Sequence, residues 1–391
     1  MIEITDTISK ILGEDKDNGY AILTLIDTNI KFNDETLLVY IENIIHNFPI
    51  LKQYIVHKNS NTQLETDSDF NIRNHYKIIY DTYANFDSQI DTLINLPFKT
   101  KAKWFVYLIQ DGDKNRLFFK IDHSYADGYK IIEMLIKPIE KDHTTVKFKH
   151  KNTSLFHMLY YGIVGTLTLI ILNFKVFVKV LFSQNVQYDK NISNIQYIKC
   201  KPLSLSVIKE FVKKHGITVN DFLYSLMIKT DYLYTNKRRE LLTISAINIS
   251  GGSHSNNMAP IFNKVINNND TLLKTVHETF NCYKYSLYTP IIHFIFNHIM
   301  NIISLNALYS AYDSVIQNCD YSYSNIIGPK NDNIENIHFL TVAKDKEIVF
   351  NIISAVDNIN IICSFKEGVL KDKERFEQCI YKAYEELRGL S

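Results

Sequence analysis

Cysteine is sparse and never paired along the chain. The five residues Cys200, Cys282, Cys319, Cys363 and Cys379 are scattered, odd in number and without a C-x-x-C spacing, which argues against a zinc site or a disulfide framework and fits a reducing compartment. Excess charge is lacking too. The 43 Lys+Arg nearly cancel 42 Asp+Glu, so neutralisation of phosphates cannot drive binding, and no nucleic-acid partner is expected. Phosphate-cradling glycine motifs are missing: Gly251-Gly252 is a lone pair with no G-x-G-x-x-G and no P-loop lysine, so no nucleotide cofactor of that kind and no metal is implied. A Gly-x-Ser-x-Gly elbow is also missing, which removes the usual serine-hydrolase signature. The first twenty residues are acidic and polar where a secretion leader has a basic start and an apolar run. Secretion is therefore not expected, and the sequons at Asn152, Asn191, Asn248 and Asn269 read as chance.

What is present is the composition of a globular protein: 46% hydrophobic and 22% charged residues over 391 positions, enough for two lobes with buried cores. Apolar alternation predicts a strand near Tyr20–Ile26, and longer-period patterns predict helices near Glu35–His46 and Ser88–Ile94. Lys103–Gln110 and Arg116–Asp122 read as a hairpin turned by DGDKN, with a helix from about Ile131 behind it. After Asn185 the expected order is a strand at Ile195–Leu203, a helix at Ser206–His215 closed by Gly216, and a helix from Thr218, capped with Asp221, to about Tyr234. A buried strand at Leu241–Ile249 and a mostly helical stretch over Leu272–Gln317 follow. Strands then recur at Tyr321–Ile326, Ile337–Val342, Glu347–Ala355 and Ile359–Phe365, before a last helix near Lys373–Leu387.

Between the two halves, Leu155 to Phe174 contains no formally charged residue and is followed by VFVKVLF. Its length suffices for a bilayer, and Lys147, Lys149, Lys151, Lys175 and Lys179 flank both sides. Leu155–Phe182 reads as a membrane-contacting segment, as a span or as helices in the head-group plane, with a core helix between lobes as the alternative. The chain divides into residues 1–150, an apolar insertion or crossover at 151–190, and residues 191–391.

The first half ends on FFKIDHSYADGY, in which a strand-forming run stops at His123, with Asp127 four positions on and Gly128 behind it. Such a strand end can deliver an imidazole to a cleft as a general base, and alone the pattern is weak. The wider stretch Leu96 to Gly128, with Pro97 and Trp104 in its lead-in, resembles the wax ester synthase/diacylglycerol acyltransferase family and its His-His-x-x-x-Asp-Gly element. The resemblance continues in order through Thr218-Val219-Asn220-Asp221, Asn257, and Ser324-Asn325-Ile326-Ile327-Gly328-Pro329. Three positions depart from the family pattern: Asp122 replaces the first histidine, Lys99 an aspartate and Asn256 a glycine.

That resemblance implies a mixed α/β fold of two lobes, like chloramphenicol acetyltransferase and other CoA-dependent acyltransferases, with a tunnel between them. It also implies transfer of a fatty acyl group from acyl-CoA to a long-chain alcohol or diacylglycerol. Acyl-CoA would be a co-substrate, with no bound cofactor. His123 would be the base, since a neutral imidazole with a reference pKa of about 6.5 can take the alcohol proton near neutrality. Asp127 would hold the loop through a basic partner, and Gly128 would let the backbone turn away. Asn257, Ser324 and Asn325 are the oxyanion or tunnel candidates; an ordinary strand-to-turn exit is the plain reading of the last two. Asp122 either raises the basicity of His123 or points away along the strand without effect, and the second is favoured. The expected partners are a lipid acceptor and a membrane, for a monomer at the cytosolic face of, in a eukaryote, the endoplasmic reticulum or a lipid droplet. A non-catalytic lipid-binding descendant and an amide-forming condensation enzyme are the competing readings.

Overall fold

The computed structural model describes residues 2–3, 21–58, 61–139, 160–171, 194–248, 258–267, 270–288, 291, 294, 314, 316–329, 331–342 and 348–389. The first lobe is built on a five-stranded sheet. In chain order its strands are β2 (Ala21–Thr28), β5 (Tyr76–Tyr80), β6 (Trp104–Asp111), β7 (Lys114–Asp122) and β13 (Ile334–Thr341), and their spatial order is β13-β2-β7-β6-β5. Only β5 and β6 run parallel. A small separate sheet joins β1 (Ile2–Glu3), β3 (Gln53–Lys58) and β4 (Asn61–Thr66). Helices α1 (Asp34–Asn47), α2 (Tyr83–Asn95) and α3 (Gly128–Ile136) complete the lobe.

The second lobe has a mixed sheet ordered β11-β10-β12-β14-β15-β8, with β9 also on β15. Its strands are β8 (Ile195–Lys199), β9 (Leu203–Ser204), β10 (Glu240–Asn248), β11 (Met258–Ile266), β12 (Tyr321–Ile327), β14 (Ile348–Ala355) and β15 (Asn358–Lys366). Residues 160–171 are helical and are called α4. Then come α5 (Leu205–His215), α6 (Val219–Thr235), α7 (Leu272–Tyr285) and α8 (Lys373–Leu387). Gly216 ends α5 in the left-handed region, and Thr218 with Asp221 forms a reciprocal capping box at the start of α6, as the sequence predicts.

Sequence reasoning misses β1, β3, β4, β5 and β11. Strand β4 is polar, with Leu64 as its one apolar side chain, and β11 begins directly after the motif position Asn257. The larger surprise is β13. It follows β12 by six residues, yet it pairs with β2 in the sheet of the first lobe, so that sheet draws on both halves of the chain. Its outer edge would leave backbone groups unpaired, and side chains of the second lobe meet them. Thr341 N donates to Asn351 Oδ1 at 2.9 Å, while Asn360 Nδ2 and Ser364 Oγ donate to the carbonyls of Ile337 and Thr341 at 2.7 and 2.5 Å.

Strand β7 is central and buried beyond Lys114, so its two buried cations need partners. Arg116 forms a bidentate pair with Asp27 at 2.5 and 3.1 Å and reaches Asp87 at 2.6 Å. Lys120 Nζ donates to the carbonyls of Leu93, Ile94 and Leu96 at the end of α2, where the helix dipole favours a cation.

Candidate active site

Strand β7 ends at Asp122, and the chain turns at once. Tyr125 N donates to the Asp122 carbonyl at 3.1 Å, closing a turn with His123 and Ser124 at its centre. Asp122 is 1% exposed, and its Oδ1 accepts from Ser124 N at 3.0 Å and Ser124 Oγ at 2.5 Å. Lys103 Nζ lies 3.5 Å from its Oδ2. Burial pushes the carboxyl above its ordinary pKa, opposed by Lys103 and by the Ser124 bonds. The expectation that Asp122 points away without effect is therefore corrected: a short side chain accepting from the residue two positions on is what an aspartate does in a turn, and here it shapes the loop that carries His123.

Tyr125, 1% exposed, holds the far side of this loop. Its hydroxyl donates to Gln53 O at 2.7 Å and accepts from Lys103 N at 3.2 Å. Asp127 then caps α3, Oδ1 accepting from Lys130 N at 2.8 Å, so one thing this carboxylate does is fix where the helix begins. His123 sits half-buried between these anchors.

Gly128 is needed for a different reason from the one its sequence suggests. Its φ is not in the positive range, so no left-handed turn requires it. A Cβ at this position would lie 2.6 Å from Ile326 Cδ1 and 3.7 Å from Phe339 Cε2. The first turn of α3 is thus pressed against β12 and β13, and glycine permits the approach. This contact brings His123-x-x-x-Asp127-Gly128 and Ser324-Asn325-Ile326 together.

Along β12 the side chains alternate. Tyr321 and Tyr323 enter the core of the second lobe, and Ile326 enters that of the first. Ser324 shares the parity of Ile326 and so lies on the face turned to α3. Asn325 has the other parity, and its Nδ2 donates to Asn220 Oδ1 at 3.0 Å. Tyr323 OH donates to the same oxygen at 3.1 Å. Asn220 opens α6 beside Asp221, whose Oδ2 accepts from Thr218 N at 2.8 Å and faces His277 Nδ1 at 2.6 Å. The Thr-Val-Asn-Asp and Ser-Asn elements of the sequence are therefore bonded to each other, a link their separation conceals. Gly328 leaves the strand with its N–H on Ser354 O at 2.7 Å, and a Cβ there would overlap that carbonyl oxygen. Asn257 lies outside the described residues, as does much of Leu155–Phe182. Among the described residues no helix is long and apolar enough to cross a membrane.

The family model of the WS/DGAT (wax ester synthase/diacylglycerol acyltransferase) C-terminal domain matches residues 258–388. No curated protein matches the sequence. Among solved structures, the wax ester synthase/diacylglycerol acyltransferase from Marinobacter aquaeolei VT8 is 12% identical with a TM-score of 0.62, the match covering 98% of this chain and 99% of that one. Trichothecene 15-O-acetyltransferase from Fusarium sporotrichioides is 10% identical with a TM-score of 0.69, over 97% and 94% of the two chains. A mutant starter condensation domain of rhizomide synthetase, in complex with C8-CoA and Leu-SNAC, is 8% identical with a TM-score of 0.59, over 100% and 93%. At such identities the likeness is one of fold, while the domain match bears on the family and supports acyltransferase chemistry. The resemblance carried by the motifs is thus borne out: residues 258–388 match the C-terminal domain of the wax ester synthase/diacylglycerol acyltransferase family, on a chain with the two-lobed fold of the CoA-dependent acyltransferases.

Proposed function

We propose that the chain is an O-acyltransferase that moves a fatty acyl group from acyl-CoA to a long-chain alcohol or diacylglycerol, with His123 as general base. The observation that carries this reading is the His123 turn itself, fixed by Asp122, Tyr125 and Asp127 and seated through Gly128 on a strand of the other lobe. A half-buried histidine on a loop whose neighbouring residues are anchored is placed for proton transfer. A protein of this fold in complex with C8-CoA supports acyl-CoA as the donor.

In this mechanism the imidazole takes the acceptor's hydroxyl proton as the oxygen attacks the thioester carbonyl carbon. The C–O bond forms and the carbonyl oxygen becomes an oxyanion. Collapse of the tetrahedral intermediate breaks the C–S bond, and the departing thiolate takes the proton from the imidazolium, giving the ester and free CoA. The oxyanion needs a donor, worth about 3 kcal/mol in a dry site. Ser324 suits this better than Asn325, because its face of β12 is the one turned to α3 whereas the Asn325 amide is bonded to Asn220. Asn325 then serves as a positioning residue that ties β12 to α6.

The replacement of the first motif histidine by Asp122 does not weaken the reading, since that residue builds the turn. The test is release of free CoA from an acyl-CoA with a long-chain alcohol or diacylglycerol, with mass spectrometry of the lipid product. His123→Ala should lower the rate by about 10²–10⁴-fold at an unchanged melting temperature. Wild-type rates in a folded His123→Ala protein would rule out the assigned base, and absence of any ester with the intact chain would favour a lipid-binding descendant.

A further inference from the structure

Helix α4 is amphipathic the wrong way round for a helix packed on a soluble protein. Its large apolar side chains Tyr160, Ile163, Val164, Leu167, Ile170 and Ile171 recur at helical spacing and face solvent, Ile163 at 62% exposure. Its protein side is narrow: Gly165, Thr166 and Leu169. A Cβ on Gly165 would be 3.6 Å from Cys282 Cα, Thr166 Oγ1 accepts from Leu287 N at 2.9 Å, and Leu169 is buried with Ile261, Tyr283 and Tyr288. Beyond the contact, three apolar residues are outward as well: Leu287 is 60%, Ile291 39% and Phe294 56% exposed.

The sequence around both segments is of one kind. No Asp or Glu occurs from residue 143 to 188, which holds Lys147, Lys149, Lys151, Lys175 and Lys179. No charged residue at all occurs from residue 285 to 312. Within these two acid-free stretches, far apart in the chain, α4 packs on the residues at the end of α7, and Leu287, Ile291 and Phe294 beyond it turn apolar side chains outward as α4 does.

We infer that α4, with Leu287, Ile291 and Phe294, presents an apolar face that lies on an anionic lipid surface, with α4 parallel to the membrane plane. An exposed apolar stripe of this extent needs cover. A helix with one side committed to α7 and the other apolar is built for an interface, and the flanking lysines, with no acids among them, complement anionic head groups better than a protein surface of mixed charge. The inference stands apart from the acyltransferase reading, because it concerns binding and not turnover.

The test is flotation of the full chain with vesicles of phosphatidylcholine alone or mixed with phosphatidylglycerol. Binding should prefer the mixed vesicles and weaken with salt. Ile163→Asp with Leu167→Asp, and separately Leu287→Asp with Phe294→Asp, should each lower the bound fraction about tenfold or more at unchanged melting, since apolar contact area sets the affinity. Val39→Asp with Tyr80→Asp, at exposed positions on other elements, should leave it unchanged. Equal flotation with both vesicle types, or wild-type flotation of both paired variants, overturns the inference. So does a dimer in light scattering that the same substitutions dissolve, because the face would then join two copies of the chain.

Discussion

Adding one methyl group at Gly128 should damage the protein, and removing one from Ile326 should repair it. The new carbon would stand 2.6 Å from Ile326 Cδ1, where unstrained carbons rest about 3.5–4.0 Å apart, so roughly 1 Å must be found. Ile326 is 7% exposed and packed in the same core as Phe339, Ile337 and Ile131, which leaves its terminal methyl little room to swing. Overpacking of this kind costs about 1–3 kcal/mol. Ile326→Val deletes the offending carbon, and the next atom of that side chain, Cγ1, is at an ordinary 3.9 Å. Alone, that change costs about 0.5–1.5 kcal/mol for the lost methyl. In the double variant the alanine methyl occupies the vacated space, so the pair should be coupled by about 1–3 kcal/mol and no less stable than Ile326→Val alone.

The assay is urea and thermal unfolding of the four proteins of the cycle, read beside the rate of CoA release. Because the contact joins the His123 loop to the strand bearing Ser324, Gly128→Ala should lower the rate as well as the stability, and Ile326→Val should restore both. Additive effects within about 0.5 kcal/mol would refute the close-approach account of Gly128. A neutral Gly128→Ala would do the same.

Gly328→Ala should resist rescue by trimming any side chain, since the overlap there is with the Ser354 carbonyl oxygen, and urea titration should show it losing about 2–4 kcal/mol from overpacking and a broken backbone bond. Asp122→Ala leaves the buried Ser124 N–H and O–H without their acceptor and should cost about 2–4 kcal/mol with a fall in rate, whereas Asp122→Asn, which keeps an acceptor oxygen, should lose less of both. His338 has its pKa lowered to about 3, by burial first and then by Lys199 and Arg116. Since the unfolded imidazole takes its proton near 6.5, the stability this group confers is present above about pH 6.5 and is lost as pH falls toward 3, at about 1.4 kcal/mol per pH unit. His338→Gln should flatten that part of the curve of stability against pH, and equal acid sensitivity in both proteins would remove His338 as its source.

Local chemistry made much of the fold legible. The β6–β7 hairpin turns at Gly112 with φ at +57°, and the Gly216 end of α5 and the Thr218 cap of α6 follow from backbone conformation and side-chain reach over a few residues. The site was legible only in outline. His123, Asp127 and Ser324 could be singled out because a strand end, a helix cap and a motif are sequence-local. The work of Asp122 was lost because period-2 alternation says where a strand residue points but not that the strand stops beneath it. The reason for Gly128 was lost because it lies in Ile326, across the lobe boundary. The bond from Asn325 to Asn220 was lost for the same reason.

The crossover of β13 explains why these distant elements can form one site. Strand β12 belongs to the second lobe's sheet and β13 to the first, yet only residues 328–333 separate them, beginning with Gly328-Pro329. Gly328 must therefore let the chain leave β12 while pressed against β14, and β13 must then be held at a new edge. Asn351, Asn360 and Ser364 do the holding from the second lobe, so β13 is fixed to both sheets. His123 leaves β7, which β2 separates from β13. Ser324 is thus one short connection from a strand that both lobes grip, and His123 follows a strand two places from it in the same sheet. On this account, changes that loosen β13 should act on the His123 chemistry from a distance. Asn360→Ala, which deletes the donor to Ile337 O, should lower the rate of CoA release in a protein that still binds acyl-CoA, and an unchanged rate in a measurably less stable Asn360→Ala protein would show that the lobes do not need this strand to keep the site aligned.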